Sequence, residues 1–254
     1  MGNSKTSLVS CLCNTYGRPN FLEEAIKCFL DQDYPNKELI VLNDQVNVNY
    51  YVNRHIEADN IRIVNCPKRF DNLGQKRNYS LDLAKGDYIC VWDDDDLYTP
   101  WRISESVKYM ENNDCDIVKA NSAIISTHNK DHYISSNLFH SQACIRKSYN
   151  KRYLDMSTGE DIEYEKGAKI KSFPVEPLFW YVYRWGNGVH HVSGIQDNKL
   201  TWEKSLNWPT YQIQGDLVLN PRFYKDYWKD IEKFLLTKNK EWAKIWYKKI
   251  KENT

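Results

Sequence analysis

Four consecutive carboxylates, Asp93 to Asp96, follow directly on an apolar run, Tyr88-Ile89-Cys90-Val91-Trp92. The run reads as a buried strand, and the acids sit at its carboxyl end. Like charges at this spacing repel, and each must stay hydrated or find a cation. A hard divalent ion, Mg2+ or Mn2+, meets that need with oxygen ligands and usually brings a phosphate with it. The competing reading is a solvated acidic turn that caps a helix opening near Pro100. Position argues against it, because ligands in open α/β sheets bind outside the carboxyl ends of strands.

The elements around this cluster follow from periodicity. Ser7 to Asn14 alternates as a strand, and Asn14-Thr15-Tyr16-Gly17-Arg18-Pro19 is a loop with Gly and Pro as breakers. Asn20 opens a helix to about Gln32, with Leu22, Ala25, Ile26, Phe29 and Leu30 as its apolar stripe. Glu38 to Leu42 is a second buried strand, ending at Asn43-Asp44. This strand-helix-strand unit predicts a parallel sheet. Residues 47–60 are polar and compatible with a short helix, and Ile61 to Asn65 is a short strand. The stretch Asp71 to Asn78 leads into a helix stopped by Gly86. A further helix runs from Thr99-Pro100 to about Asn112. Cys115 to Ala120 is a strand, and short antiparallel strands are expected between Asn121 and Phe139. Glu160 to Lys169 reads as helix and Leu178 to Arg184 as strand. Trp185 to Gly194 reads as loop, and residues 200–220 as irregular. From Phe223 to Lys251 aromatic and aliphatic residues recur at helical spacing.

The chain has 254 residues, 41% hydrophobic and 27% charged, with a formal charge of +1. These values fit an ordinary soluble globule and give no global pull toward nucleic acid or membrane. The distribution is less even. From Pro221 onward ten Lys/Arg stand against five Asp/Glu, so this segment carries +5 and the remainder −4. A basic tail on a slightly acidic body is a hint of an anionic partner. The seven cysteines form no C-x-x-C pair, which argues against a zinc site or a disulfide framework. Together with the lack of a visible signal peptide or a run of ~18 apolar residues, they point to a reducing, cytoplasmic setting.

Taken in order, the motifs resemble inverting glycosyltransferase family 2, whose members have the GT-A fold. The matching residues are Asn14 to Pro19, Asn43-Asp44, Leu73-Gly74-Gln75-Lys76-Arg77-Asn78, Lys85-Gly86-Asp87-Tyr88-Ile89, Trp92 to Asp96 and Gly159-Glu160-Asp161. They span roughly residues 7–195. The resemblance implies an α/β GT-A domain over residues 1–220, with a Rossmann-like nucleotide-binding half and a mixed central sheet. Residues 221–254 would form a basic, amphipathic helical appendage.

It also implies a nucleotide-sugar donor, usually a uridine diphosphate sugar, and assigns tasks to matched positions. Thr15, Tyr16 and Arg18 would hold the base end, and Asp44 would accept from the uracil ring nitrogen. The family usually has two acids and a Gly-Ser where this chain reads Asn43-Asp44-Gln45-Val46. Lys76 and Arg77 would approach the nucleotide or its diphosphate, and Arg184 is a further diphosphate candidate. Asp93 would contact the ribose or the metal, and Asp95 would coordinate the Mn2+ or Mg2+. Asp94 joins the donor-binding set, and Asp96 supports the metal or caps the next helix. Some members supply a His as another metal ligand, for which His191 and His190 are the candidates. The family's base lies in an acidic pair opening a later helix, here Glu160-Asp161, with Asp161 preferred.

The expected function is transfer of a hexose, glucose or N-acetylglucosamine, from a UDP-sugar to an acceptor hydroxyl, most simply on a glycan. An alternative acceptor is DNA carrying hydroxymethylated pyrimidines, which the basic, Trp-rich tail would suit. The same tail could instead make a peripheral membrane contact. A different class altogether is a non-catalytic nucleotide-sugar-binding protein. No glycine-rich phosphate loop follows the first strand, which argues against a nucleotidyltransferase.

Overall fold

The computed structural model describes residues 6–56, 59–127, 131–185 and 213–253. A central strand, β1 (Val9–Thr15), pairs in parallel with β2 (Lys37–Asn43) on one side and with β5 (Tyr88–Val91) on the other. Helix α1 (Pro19–Leu30) makes the first crossover, with Pro at its start and Leu22, Ala25, Ile26 and Phe29 buried as the stripe requires. β4 (Ile61–Asn65) adds in parallel beyond β2. Helix α2 (Leu73–Leu83) is capped by Asn72, whose side chain accepts from Gln75 N at 2.9 Å.

Beyond β5 the sheet becomes mixed. β10 (Cys144–Arg146) runs antiparallel between β5 and β7 (Ile117–Ala120), and β11 (Ile170–Phe173) lies parallel to β7. The seven strands run in the order β11-β7-β10-β5-β1-β2-β4. A four-stranded sheet joins β6 (Leu97–Tyr98), β12 (Tyr181–Trp185), β8 (Ala123–Thr127) and β9 (His132–Ser135) in that order. Helix α3 (Arg102–Glu111) follows β6.

Several sequence expectations change. Residues 47–60 give a strand, β3 (Val48–Val52), not a helix. Val48 and Tyr50 are buried while Asn49 and Tyr51 are exposed, a period of two. Its parallel partner, β13 (Gly215–Leu219), lies in the stretch read as irregular. Helix α4 (Glu160–Glu165) ends short of Lys169, because Gly167 takes a left-handed φ of 84° and the chain turns into β11.

The C-terminal helical stretch divides into α5 (Tyr227–Lys238) and α6 (Lys240–Asn253). Asn239 breaks them apart, its side chain accepting from Glu241 N at 2.9 Å. The hairpin is no detached appendage. Trp246 meets Trp101 edge to face at 5.3 Å, and Trp228, Ile231, Leu235 and Trp246 belong to the same core as Val9, Phe29 and Trp92. The core therefore crosses the boundary expected at residue 220. Among the described residues no helix is long and apolar enough to cross a membrane.

Candidate active site

The carboxyl ends of β1 and β5 open into a cleft of ≈ 390 Å³. Its walls include Arg18 from the β1–α1 loop, Arg77 from α2, Asp93 to Asp96 after β5, and Glu160 and Asp161 at the start of α4. Residues separated by as many as 143 positions in the sequence thus share one space. Gly159, with φ 74° and open space within 4 Å of where a Cβ would stand, turns the chain into α4 at the cleft edge.

The four acids divide into distinct environments. Asp94 is fully buried; its Oδ2 accepts from Thr15 Oγ1 at 2.6 Å and its Oδ1 from Arg18. Burial pushes its carboxyl up to about 6, against the pull of Arg18. Asp95 Oδ2 accepts from Arg18 Nη1 at 2.7 Å. Asp93 accepts from Ser141 Oγ at 2.5 Å and lies 3.8 Å from Arg77. Asp96 accepts from Tyr181 OH at 2.6 Å and from Arg184 N at 2.9 Å, so it secures the start of the β12 region. Burial raises the Asp96 carboxyl well above its ordinary value.

One oxygen each from Asp93, Asp95 and Asp96 lies within 4.8 Å of the others. This hard-oxygen set fits a divalent ion such as Mn2+ or Mg2+. Each of the three already accepts from the protein, Asp93 from Ser141, Asp95 from Arg18, and Asp96 from Tyr181 and Arg184. Those commitments also show that part of the cluster's charge is met by the protein's own donors.

Glu160 and Asp161 differ as well. Glu160 is buried and accepts from Arg77 Nε at 3.2 Å; burial raises its carboxyl, while Arg77 opposes the rise. Asp161 is half-buried on the cleft wall, with Oδ1 accepting from Ile162 N at 2.9 Å.

Other candidates lie behind the cleft. Asp44 and Lys76 form a buried ion pair; Lys76 Nζ also donates to Thr15 O at 2.7 Å, and Asp44 Oδ2 accepts from Phe70 N at 3.1 Å. The Tyr16 ring carries the Arg69 guanidinium 4.0 Å from its centroid. Arg184 is not on the cleft. Its guanidinium is buried against Glu24, the Asp95 carbonyl and Tyr227 OH, with the Phe21 ring at 4.5 Å. It ties α1, the acid loop and α5 together, a structural place where the sequence suggested a diphosphate ligand. His190 and His191 lie outside the described residues.

The structure adds residues that no motif marked. His140 lines the cleft, with Nδ1 2.5 Å from Glu165 Oε1 and Nε2 2.8 Å from Tyr153 OH. Burial lowers its pKa, outweighing the Glu165 contact. Glu165 also accepts from Lys119 Nζ at 2.6 Å. A neutral imidazole donating from Nδ1 to an anionic Glu165 satisfies all these contacts. Next to it, Ser141 holds Asp93. One short turn therefore touches the acid cluster and the far end of α4. Its only sequence trace is a polar triplet in a segment without periodicity.

Residues 10–168 match the family model for glycosyl transferase family 2. An uncharacterized glycosyltransferase of Methanocaldococcus jannaschii is 30% identical over 123 residues, 46% of this chain and 42% of that protein. The putative colanic acid biosynthesis glycosyl transferase WcaA of Escherichia coli is 34% identical over 99 residues, covering 38% and 36%. The chain thus spans less than half the length of these curated relatives. Among solved structures, S. aureus TarS 1–349 in complex with UDP-GlcNAc aligns with TM-score 0.57 at 13% identity, over 77% of this chain and 64% of that one. The mannosyltransferase PcManGT from Pyrobaculum calidifontis, in complex with GDP-Man and Mn2+, aligns with TM-score 0.51 at 14% identity, over 70% and 57%. These likenesses establish the GT-A fold.

Proposed function

Because the chain belongs to glycosyl transferase family 2, we propose that it moves a hexose from a UDP-sugar to an acceptor hydroxyl with inversion at the anomeric carbon. The observation that carries this reading is that Asp161 and the Asp93–Asp95 acids line one cleft at the carboxyl ends of parallel strands. The UDP-GlcNAc complex of the staphylococcal neighbour supports a uridine diphosphate donor, and the sugar is taken as glucose or N-acetylglucosamine.

In this mechanism Asp95 and Asp93 would hold a Mn2+ or Mg2+ ion. When bound, such an ion supplies Lewis-acid stabilisation of the departing diphosphate. Arg77 and Arg18 add fixed positive charge on the same wall. Asp161 takes the proton of the acceptor hydroxyl as its oxygen bonds to the anomeric carbon. The bond from that carbon to the diphosphate oxygen breaks on the opposite face, and UDP leaves. Glu160, bound to Arg77, fixes the start of α4 and so the position of Asp161.

For the acceptor, a glycan is the better reading. Two of the tail tryptophans that would have served a flipped base are core residues: Trp246 is 1% exposed and Trp228 8%. The experiment is UDP release from UDP-glucose and UDP-N-acetylglucosamine with Mn2+, with and without 5-hydroxymethylcytosine DNA. Wild type is run beside Asp95→Ala and Asp161→Asn. Metal-dependent turnover lost in both variants supports the mechanism, and stimulation by DNA would move the acceptor to the second class. Turnover insensitive to both substitutions would place the active site elsewhere. UDP-sugar binding without any turnover would favour the non-catalytic class.

A further inference from the structure

Arg18 precedes α1 at the N-cap position yet makes no side-chain capping bond. Its guanidinium turns instead into the acid cluster. Nη1 donates to Asp95 Oδ2 at 2.7 Å and Nη2 to Asp94 Oδ1, with 14% of the side chain exposed on the cleft wall. Asp94 is locked in place because Thr15 Oγ1 donates to its other oxygen at 2.6 Å. Asp95 is also one of the three carboxylates whose oxygens converge within 4.8 Å. A carboxylate that would take part in holding a divalent ion is therefore already bonded to a guanidinium.

We propose that Arg18 is an internal counter-cation that competes with the divalent ion for Asp95, and that a donor diphosphate lifts the competition by giving the guanidinium another anion. This rests on the donor site proposed above. Four adjacent carboxylates need nearby positive charge, and Arg supplies it permanently, since it stays protonated at any working pH. A dication on Asp95 would lie a few ångströms from that charge. Even at water-like screening the repulsion weakens ion binding by about tenfold or more. A diphosphate accepts the planar Arg fork in bidentate fashion. Arg77 is likewise held between two carboxylates, but more loosely, at 3.2 Å from Glu160 and 3.8 Å from Asp93. Removing Arg18 should therefore tighten the ion and reduce the advantage that nucleotide gives it. The coupling is reciprocal, so Mn2+ and UDP must strengthen one another by the same factor.

The test is calorimetric titration of Mn2+ into the full chain, alone and with saturating UDP, for wild type and Arg18→Gln. The expected result is that Arg18→Gln binds Mn2+ alone about tenfold tighter than wild type, the fold-change of the repulsion removed. The strengthening by UDP should shrink in the variant. Without metal, Arg18→Gln should melt at a lower temperature, and Mn2+ should raise that temperature more than in wild type. A variant that folds only with Mn2+ supports the proposal, because the ion has then replaced the missing charge. A variant that fails to fold in both states assigns Arg18 to the fold and overturns it. Equal or weaker Mn2+ binding by a folded Arg18→Gln also overturns it. Should wild type bind Mn2+ but not UDP, the nucleotide reading fails, while the two Mn2+ affinities still decide the role of Arg18.

Discussion

Arg184→Met separates a structural cation from a donor ligand. Arg184 and Glu24 are both buried, and their ion pair joins positions 160 apart. Removing one partner of a buried pair costs about 3–5 kcal/mol, because the other charge is left uncompensated. Glu24 would keep Tyr227 OH at 3.1 Å and Tyr224 N at 3.1 Å, so the lower end applies. A loss of about 3 kcal/mol lowers the melting temperature of a chain this size by roughly 6–12 °C. Methionine keeps an apolar stem but not the guanidinium, so the loss reports mainly the charge and its bonds. The assay is urea unfolding of Arg184→Met, Glu24→Gln and the double variant. The double variant should recover most of the stability, since it buries no lone charge. UDP affinity of the folded Arg184→Met protein should match wild type. A loss under ~1 kcal/mol, the size of an ordinary surface change, would refute the argument. So would a stable variant that no longer binds UDP.

Asp161→Asn should lower kcat by about 10²–10⁴, the worth of a positioned base, with little change in UDP affinity measured by titration. Gly74→Ala should fail to reach wild-type stability in thermal melts, because its Cβ would stand 1.8 Å from the Leu154 carbonyl oxygen, which is backbone. Acid should weaken the fold through His140. Burial holds its pKa low, so below about pH 6.5 the unfolded chain takes up a proton that the folded one excludes. Glu165 acts in the same direction at lower pH. Burial opposes its ionisation, but bonds from His140 and Lys119 prevail and hold its carboxyl low, so that support is lost as pH falls. Urea midpoints between pH 5 and 8 should fall more steeply toward acid in wild type than in His140→Asn. A shared slope would assign the pH dependence elsewhere.

Much of the nucleotide-binding half was readable from the sequence. Apolar runs ending in Asn43-Asp44 and Asp93–Asp96 mark strand ends, and α1 follows its stripe. Local pattern suffices there, because each element's burial is written in its own residues. What escaped is what depends on a distant partner. Among the described residues β3 pairs as a strand with β13, some 167 positions away, and β10 enters the sheet antiparallel on a run of three residues. Arg184 and Arg77 looked alike as candidate phosphate ligands; only the fold directs one to the cleft and the other to Glu24. The tail's Trp and Lys pattern was legible as amphipathic helix, but the surface it covers, Trp101 and Phe179, could not be named without the fold.

The way the C-terminal hairpin closes the core also sets a schedule for folding. Glu23 and Glu24, near the start of the chain, are satisfied by Asn220, Tyr224 and Tyr227, about 200 positions later. Trp101 likewise waits for Trp246. During synthesis at ~5–20 residues per second, the first half would spend roughly 10–40 s with these acids uncovered. Contacts this distant in sequence are slow to form, since a long loop must close before they contribute. The Rossmann-like half can pair its strands early. Its interior becomes sealed only when the hairpin packs onto it, so folding yield should be sensitive to changes in the hairpin residues that complete these contacts.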